Sequence, residues 1–245
     1  ADDIMKFRNK GNEGLTEIQK TVGLLAVTLP FSYLAFQFPN SAGATPASTA
    51  VSFVRDLPLD LMAPGAIVGT LLVMAWINLI ALSGTNAVNF TDGLDGLAGG
   101  LLAVSYCIFG VIALLQGHLQ LAGFCFTVVG VLLSYLWFNI YPARFFMGDV
   151  GSFAFGTSLG VVAMLTNTLF LLPVIGVLFV VEAGSSLIQI LSKKFFHRKV
   201  FISAPIHQHF QAVGWPEVKV TMRFWVISCV TGFIGLMMAL GGGHI

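Results

Sequence analysis

Leu97-Ala-Gly-Gly-Leu-Leu-Ala-Val-Ser-Tyr-Cys-Ile-Phe-Gly-Val-Ile-Ala-Leu-Leu-Gln116 carries no charged side chain from end to end. A helix that crosses a bilayer needs roughly 20 mainly apolar residues, and this stretch meets that requirement. Just before it lies Asn86-Ala-Val-Asn89-Phe-Thr-Asp92-Gly-Leu-Asp95-Gly, and before that another apolar run, residues 65–83. Two carboxylates and an amide are thus confined between two spans. Ionisable groups at the edge of a bilayer are costly to place and mark a functional site by default.

Hydrophobic residues make up 56% of the 245, and charged residues only 9%. A soluble domain carries about 25% charged residues, so the composition is that of an integral membrane protein. The formal net charge of +1 gives no ground for a nucleic-acid partner. Cys107, Cys125 and Cys229 all sit in apolar runs without metal-type spacing, and read as small hydrophobes.

Seven stretches have the length and composition of spans: about 20–38, 65–83, 97–116, 119–138, 152–167, 169–191 and 222–240. The expected fold is an all-α, polytopic transmembrane helical bundle. Long apolar runs without alternation make strands improbable as spans. With loops alternating between sides, eleven of the twelve Lys and Arg share one side, and only Arg55 falls on the other. The positive-inside rule makes that side the cytoplasm. The 39–64 loop then faces outward and serves as a connection.

This topology puts Asp2, Asp3, Asp92, Asp95, Asp149, His207 and His209 on the cytoplasmic face. Asp2-Asp3 with Lys6 suits Mg2+ held near phosphate, or a base tuned by its neighbour; it also suits a solvated acidic helix start. Asp92 and Asp95 would share a face if their segment were helical. They read as ligand groups; the competing reading is a capped helix entering the bilayer, with Thr91 or Asp92 as the cap. In Phe138-Asn139-Ile-Tyr-Pro-Ala-Arg144-Phe-Phe146-Met-Gly148-Asp149-Val-Gly-Ser152, Phe146 can stack on a base, Gly148 leaves room for a ligand and Asp149 can bind a metal. The competing reading is an aromatic belt with Asp149 as a cap. The histidines of Ala204-Pro-Ile-His207-Gln208-His209-Phe210 follow a basic run and suggest phosphate contacts more than zinc. Lys193, Lys194, Arg198 and Lys199 read as the membrane anchor. Glu182 and Gln189, seven apart, share a helical face, and Glu182 reads as a structural hydrogen-bonding group.

Together these motifs resemble the phospho-N-acetylmuramoyl-pentapeptide transferases, a branch of the polyprenyl-phosphate N-acetylhexosamine-1-phosphate transferase superfamily. Asp2-Asp3 is similar to the superfamily's paired aspartates. Gly14-Leu-Thr16…Gln19-Lys20 resembles the segment before the family's fourth helix, and Asn86 to Ala98 its nucleotide-binding loop. Phe146 to Ser152 resembles the loop with the third essential aspartate. Pro205 to Phe210 with Gly214-Trp-Pro-Glu217 is similar to the feature that separates this branch from its relatives. Gln208 stands where the family pattern has the middle of three histidines. Family members have ten spans and the chain resembles the last seven. Together with an opening Ala1-Asp2-Asp3 that lacks Met, signal or leading span, this implies one transferase domain, residues 1–245, without its N-terminal helices.

The resemblance implies transfer of phospho-MurNAc-pentapeptide from UDP-MurNAc-pentapeptide to undecaprenyl phosphate. The products are lipid I and UMP, the cofactor Mg2+, the place the cytoplasmic face of the bacterial inner membrane. It assigns Asp149 to the metal and Asp2 or Asp3 to base or metal duty. Asn89, Asp92, Asp95 and Phe146 would hold the uridine and nearby donor. Lys20, Asn139 and His209 would steady phosphates or sugar, with Gly148, Gln189 and His207 also on the substrate. Direct attack by the lipid phosphate and a covalent aspartyl intermediate both stay open, and a homodimer is compatible with such a bundle. Rival readings are a sister GlcNAc-1-phosphate transferase, an ion-coupled transporter and a non-catalytic scaffold. The transporter is disfavoured because the acids sit at span ends, not at the midplane.

Overall fold

The computed structural model describes residues 16–35, 50–52 and 56–242. Asp2 and Asp3 lie outside the described residues. Helix α1, Glu17–Leu34, opens with a capping box: Thr16 accepts from the Gln19 amide, and the Gln19 side chain accepts from the Thr16 amide. The 39–64 connection carries a small antiparallel hairpin, β1 (Ala50–Ser52) and β2 (Asp56–Asp60). Then follow α2 (Ala66–Thr91), α3 (Leu97–Leu115), α4 (Leu119–Asn139) and α5 (Gly148–Leu165). A 3-10 turn at Leu169–Leu171 leads into α6 (Leu172–Ile175), α7 (Val177–Phe196), the short α8 (Ile206–Ala212) and α9 (Glu217–Gly241).

The bundle is helical and multi-pass, as expected, but fewer than seven spans are found among the described residues. Among the described residues five helices are long and apolar enough to cross a membrane: α2, α3, α4, α5 and α9. The expected span 169–191 is broken at Gly176, where α6 and α7 meet at 83°; counted as one broken span, the pair makes six. From Leu169 to Val181 its residues are apolar, so no polar residue announces the bend. Helix α1 is not among the five. It is 18 residues long, begins with Glu17 and has Lys20 in its first turn, which shortens its apolar part.

Helix α3 is the centre of the core. Leu97, Leu101, Leu102, Tyr106, Phe109 and Ile112 are all buried there, packed against α4 on one side and α9 on the other. The outer helices keep large apolar side chains on the outside instead, including Ile67, Leu71, Trp137, Val226 and Phe233. An apolar surface of that kind requires lipid rather than water. Helices α2 and α5 cross closely at Gly84 and Gly156, where a Cβ on Gly84 would sit 2.6 Å from the Gly156 carbonyl oxygen. Small residues let backbones approach in this way within membranes. Helix α1 is tied to α2 by a buried polar set: Thr28 donates to Asn78, which donates to Ser32 and to the Met74 carbonyl.

Candidate active site

The loops at one end of the bundle carry most of the polar side chains singled out above. Lys20 of α1 pairs with Asp149 in the first turn of α5, Nζ to Oδ2 at 2.6 Å. The other Asp149 oxygen accepts from Asn89 Nδ2 at 3.1 Å, and Asn89 also donates to Ser152 Oγ at 3.1 Å. Three helices that are remote in sequence therefore converge on one carboxylate. Gly148, just before it, has φ +65, and nothing lies within 4 Å of where its Cβ would be. Phe146 is well exposed beside this cluster in sequence, free to meet a ligand ring.

Asp92 and Asp95 do not share a helical face. Residues 92–96 form turns between α2 and α3, with Asp92 the C-cap of α2, so neither Thr91 nor Asp92 caps the following helix. The two acids part company there. Burial, reinforced by the charge of Asp149, raises the Asp92 carboxyl from 3.8 to about 6. Asp95 is instead a fastening: its Oδ2 accepts from the Ala143 amide at 2.8 Å, its own amide donates to Glu217 Oε1 at 2.7 Å, and its carbonyl accepts from Thr221. Asn139 does similar work, accepting from the Gly96 amide and donating to the Phe145 carbonyl. These bonds bind three loops into one floor.

The histidine segment closes the same end. His207 is buried with Nδ1 2.9 Å from Glu182 Oε2, which bears out the structural reading of Glu182. A Cβ on Gly93 would meet His207 Nε2 at 2.5 Å, so the imidazole lies directly on the Asp92–Gly93 turn. Gln189, seven residues from Glu182, is buried as well. Its Oε1 accepts from the Val200 and Phe201 amides and its Nε2 donates to the Phe201 carbonyl. His209 Nδ1 accepts from the Ile202 amide at 3.2 Å. Beyond it, Trp215 stacks on Phe210 at 4.8 Å, with Lys219 Nζ and Arg223 Cζ within 4.5 Å of its ring.

Residues 1–167 match the model of glycosyl transferase family 4. Similarity to curated proteins runs through nearly the whole chain. A phospho-N-acetylmuramoyl-pentapeptide-transferase of Clavibacter michiganensis subsp. michiganensis is 40% identical, over 99% of this chain and 70% of its own length. Proteins of the same name from Beutenbergia cavernae and Corynebacterium efficiens are 40% and 38% identical, with 71% of each covered. The chain belongs to the phospho-N-acetylmuramoyl-pentapeptide-transferase family. It is a multi-pass bacterial membrane protein and, by family, a phosphoglycosyl transferase.

Within that family frame the structure adds two residues to which the sequence assigned no role. Ser152 accepts from Asn89, and Glu217 holds the Asp95 amide. Both stood inside quoted motifs, Ser152 after Gly148-Asp149-Val-Gly and Glu217 after Trp215-Pro216, but nothing local revealed their partners. Among the described residues no group of three or more His, Cys, Asp and Glu is placed to hold a metal ion. Asp149 and Asp92 are hard oxygen donors whose like charges already act on each other. That chemistry suits Mg2+.

Proposed function

We propose that the chain, acting as one integral-membrane domain, transfers phospho-MurNAc-pentapeptide from UDP-MurNAc-pentapeptide to undecaprenyl phosphate. The observation that carries this reading is the convergence of Lys20, Asn89 and Asp149 beside Asp92 at one end of an otherwise apolar bundle. A polar, charged donor and a lipid acceptor can meet only at such a place. On the seven-span alternation the eleven-to-one division of Lys and Arg favours a cytoplasmic position for that end, and the Lys20–Asp149 pair keeps Lys20 at it.

In this reading an oxygen of the lipid phosphate attacks the β-phosphorus of the donor. The bond from that phosphorus to the bridging oxygen breaks, and UMP departs with the electron pair. Positioning and charge neutralisation do most of the work in such a transfer. Lys20 offsets phosphate charge, while Asn89 and Lys20 keep the Asp149 carboxylate oriented. Asp149, with Asp2 or Asp3, would hold Mg2+, which would supply positive charge to offset that of the phosphates. Asp92 and Phe146 meet the uridine end of the donor. Asp95, Asn139 and Gln189 act at one remove, because their hydrogen bonds hold the loops that shape the site.

Parallel assays with UDP-MurNAc-pentapeptide and UDP-GlcNAc test the reading. Nucleotide release should require the first donor, undecaprenyl phosphate and Mg2+. Preference for UDP-GlcNAc would make the chain a sister transferase instead.

A further inference from the structure

Two imidazoles lie two residues apart on α8, and their Nδ1 atoms face opposite kinds of partner. His207 Nδ1 meets the carboxylate of Glu182 at 2.9 Å, deep in the protein. A carboxylate only accepts, so this contact calls for a proton on Nδ1. His209 Nδ1 receives the Ile202 amide at 3.2 Å. A backbone N–H only donates, so this Nδ1 carries no proton and the ring's hydrogen sits on Nε2. We infer that Glu182 and the Ile202 amide fix these histidines in opposite states at Nδ1, leaving His209 a neutral Nε2–H donor.

Each state has its own support. Glu182 and His207 are both fully buried, and each keeps a second polar atom, Oε1 and Nε2, without a hydrogen-bond partner in the structure. The short Nδ1 contact is therefore the one bond that orients the ring, whose Nε2 rests on the Gly93 turn. The Ile202 amide, in turn, is placed by Gln189, which takes the two preceding amides, Val200 and Phe201, on its Oε1. Gln189 is thus a positioning residue for His209, acting through the backbone. Edge-on contacts with Phe201 and Phe210 hold the His209 ring in the same pose.

The consequence deepens the proposed transferase and rests on that reading. A neutral imidazole whose one N–H is on Nε2 can hydrogen-bond a phosphate or sugar oxygen without adding charge. Lys20 then supplies the positive charge and His209 the direction. Between the two rings Gln208 is drawn aside, accepting from Ser203 Oγ at 2.9 Å.

The test is nitrogen-15 spectroscopy of the full chain in detergent with ring-labelled histidine, at about neutral pH where an unperturbed imidazole is mostly uncharged. Signals are assigned by single substitution of each histidine, His209→Asn among them. A bare ring nitrogen resonates well downfield of a protonated one. His209 should show a bare Nδ1 and a protonated Nε2, and His207 a protonated Nδ1. Gln189→Ala should disturb the His209 pattern and leave that of His207 in place; Glu182→Gln should do the reverse. Should His207→Gln fail to fold, assigning the other four rings identifies His207 by elimination. The same tautomer on both rings, or a doubly protonated His209, would overturn the inference. Because the free protein is measured, opposed patterns in a chain that releases no UMP would sustain the inference while the transferase reading fails.

Discussion

Lys20 Nζ and Asp149 Oδ2 meet at 2.6 Å although 129 positions separate them in the chain. The pair joins the first turn of α1 to the first turn of α5, and both side chains keep some exposure, 16% and 24%. A partly solvated ion pair contributes little to stability, about 0–1 kcal/mol. Lys20→Met should accordingly leave thermal stability in detergent nearly unchanged. Turnover should fall by about 100-fold or more, the usual scale for losing a group aimed at developing charge. A variant that loses stability but keeps its turnover would make the pair structural.

Asp92 gives a pH dependence of unusual sign. Its carboxyl is raised to about 6, so the folded chain keeps a proton that the unfolded chain has released. Stability should therefore fall as pH rises from about 4 to about 6, and the penalty should persist above that. In EDTA, Asp92→Asn should flatten that slope and stabilise the chain at about pH 7.5 by roughly 1–2 kcal/mol. Thermal unfolding across the pH range reads both effects. An unchanged slope in Asp92→Asn would place its origin in another group.

Gly93 and His207 form a steric pair that a double-mutant cycle can isolate. A methyl on Gly93 would lie 2.5 Å from His207 Nε2. Gly93→Ala should cost roughly 1–3 kcal/mol, the range for overpacking a close contact. Combining it with His207→Ala should recover much of that loss, since the clashing ring is gone. Strict additivity would show that the two do not touch.

The α2–α5 crossing should be equally unforgiving. At Gly156 an added Cβ would sit 2.5 Å from the Gly84 carbonyl oxygen and 2.8 Å from the Thr85 Cα, both backbone atoms that cannot swing away. Gly156→Val should separate the helices and lower the yield of folded protein sharply. Because Thr85 bonds Thr157 across the same crossing, with Asn89 one turn and Asp149 two turns further on, turnover should fall with it. A well-folded, fully active Gly156→Val would refute the close crossing.

The sequence made the membrane character plain, because uncharged runs as long as 97–116 have no other stable home. The pairing of Glu182 and Gln189 on one face was equally legible, since seven residues make two helical turns. The break at Gly176 was not: residues 169–181 on either side of it are apolar, and a run of that length and composition passes for part of one straight span despite Pro173 and Gly176. Asp92 and Asp95 looked like a helical pair because their spacing fits one. The turn between α2 and α3 separates them, one towards Asp149 and the other onto the Ala143 amide. Contacts such as Lys20 with Asp149 depend on how α1 lies against α2 and α5, which no local pattern encodes.

The most direct test of the central claim is UMP release by the purified full chain and its Asp149→Asn variant, in detergent. UDP-MurNAc-pentapeptide, undecaprenyl phosphate and Mg2+ are supplied, with an EDTA control. The account predicts release by the unsubstituted chain that needs both substrates and the metal, and none above background from Asp149→Asn. Equal release from the two chains, or release indifferent to EDTA, would contradict it.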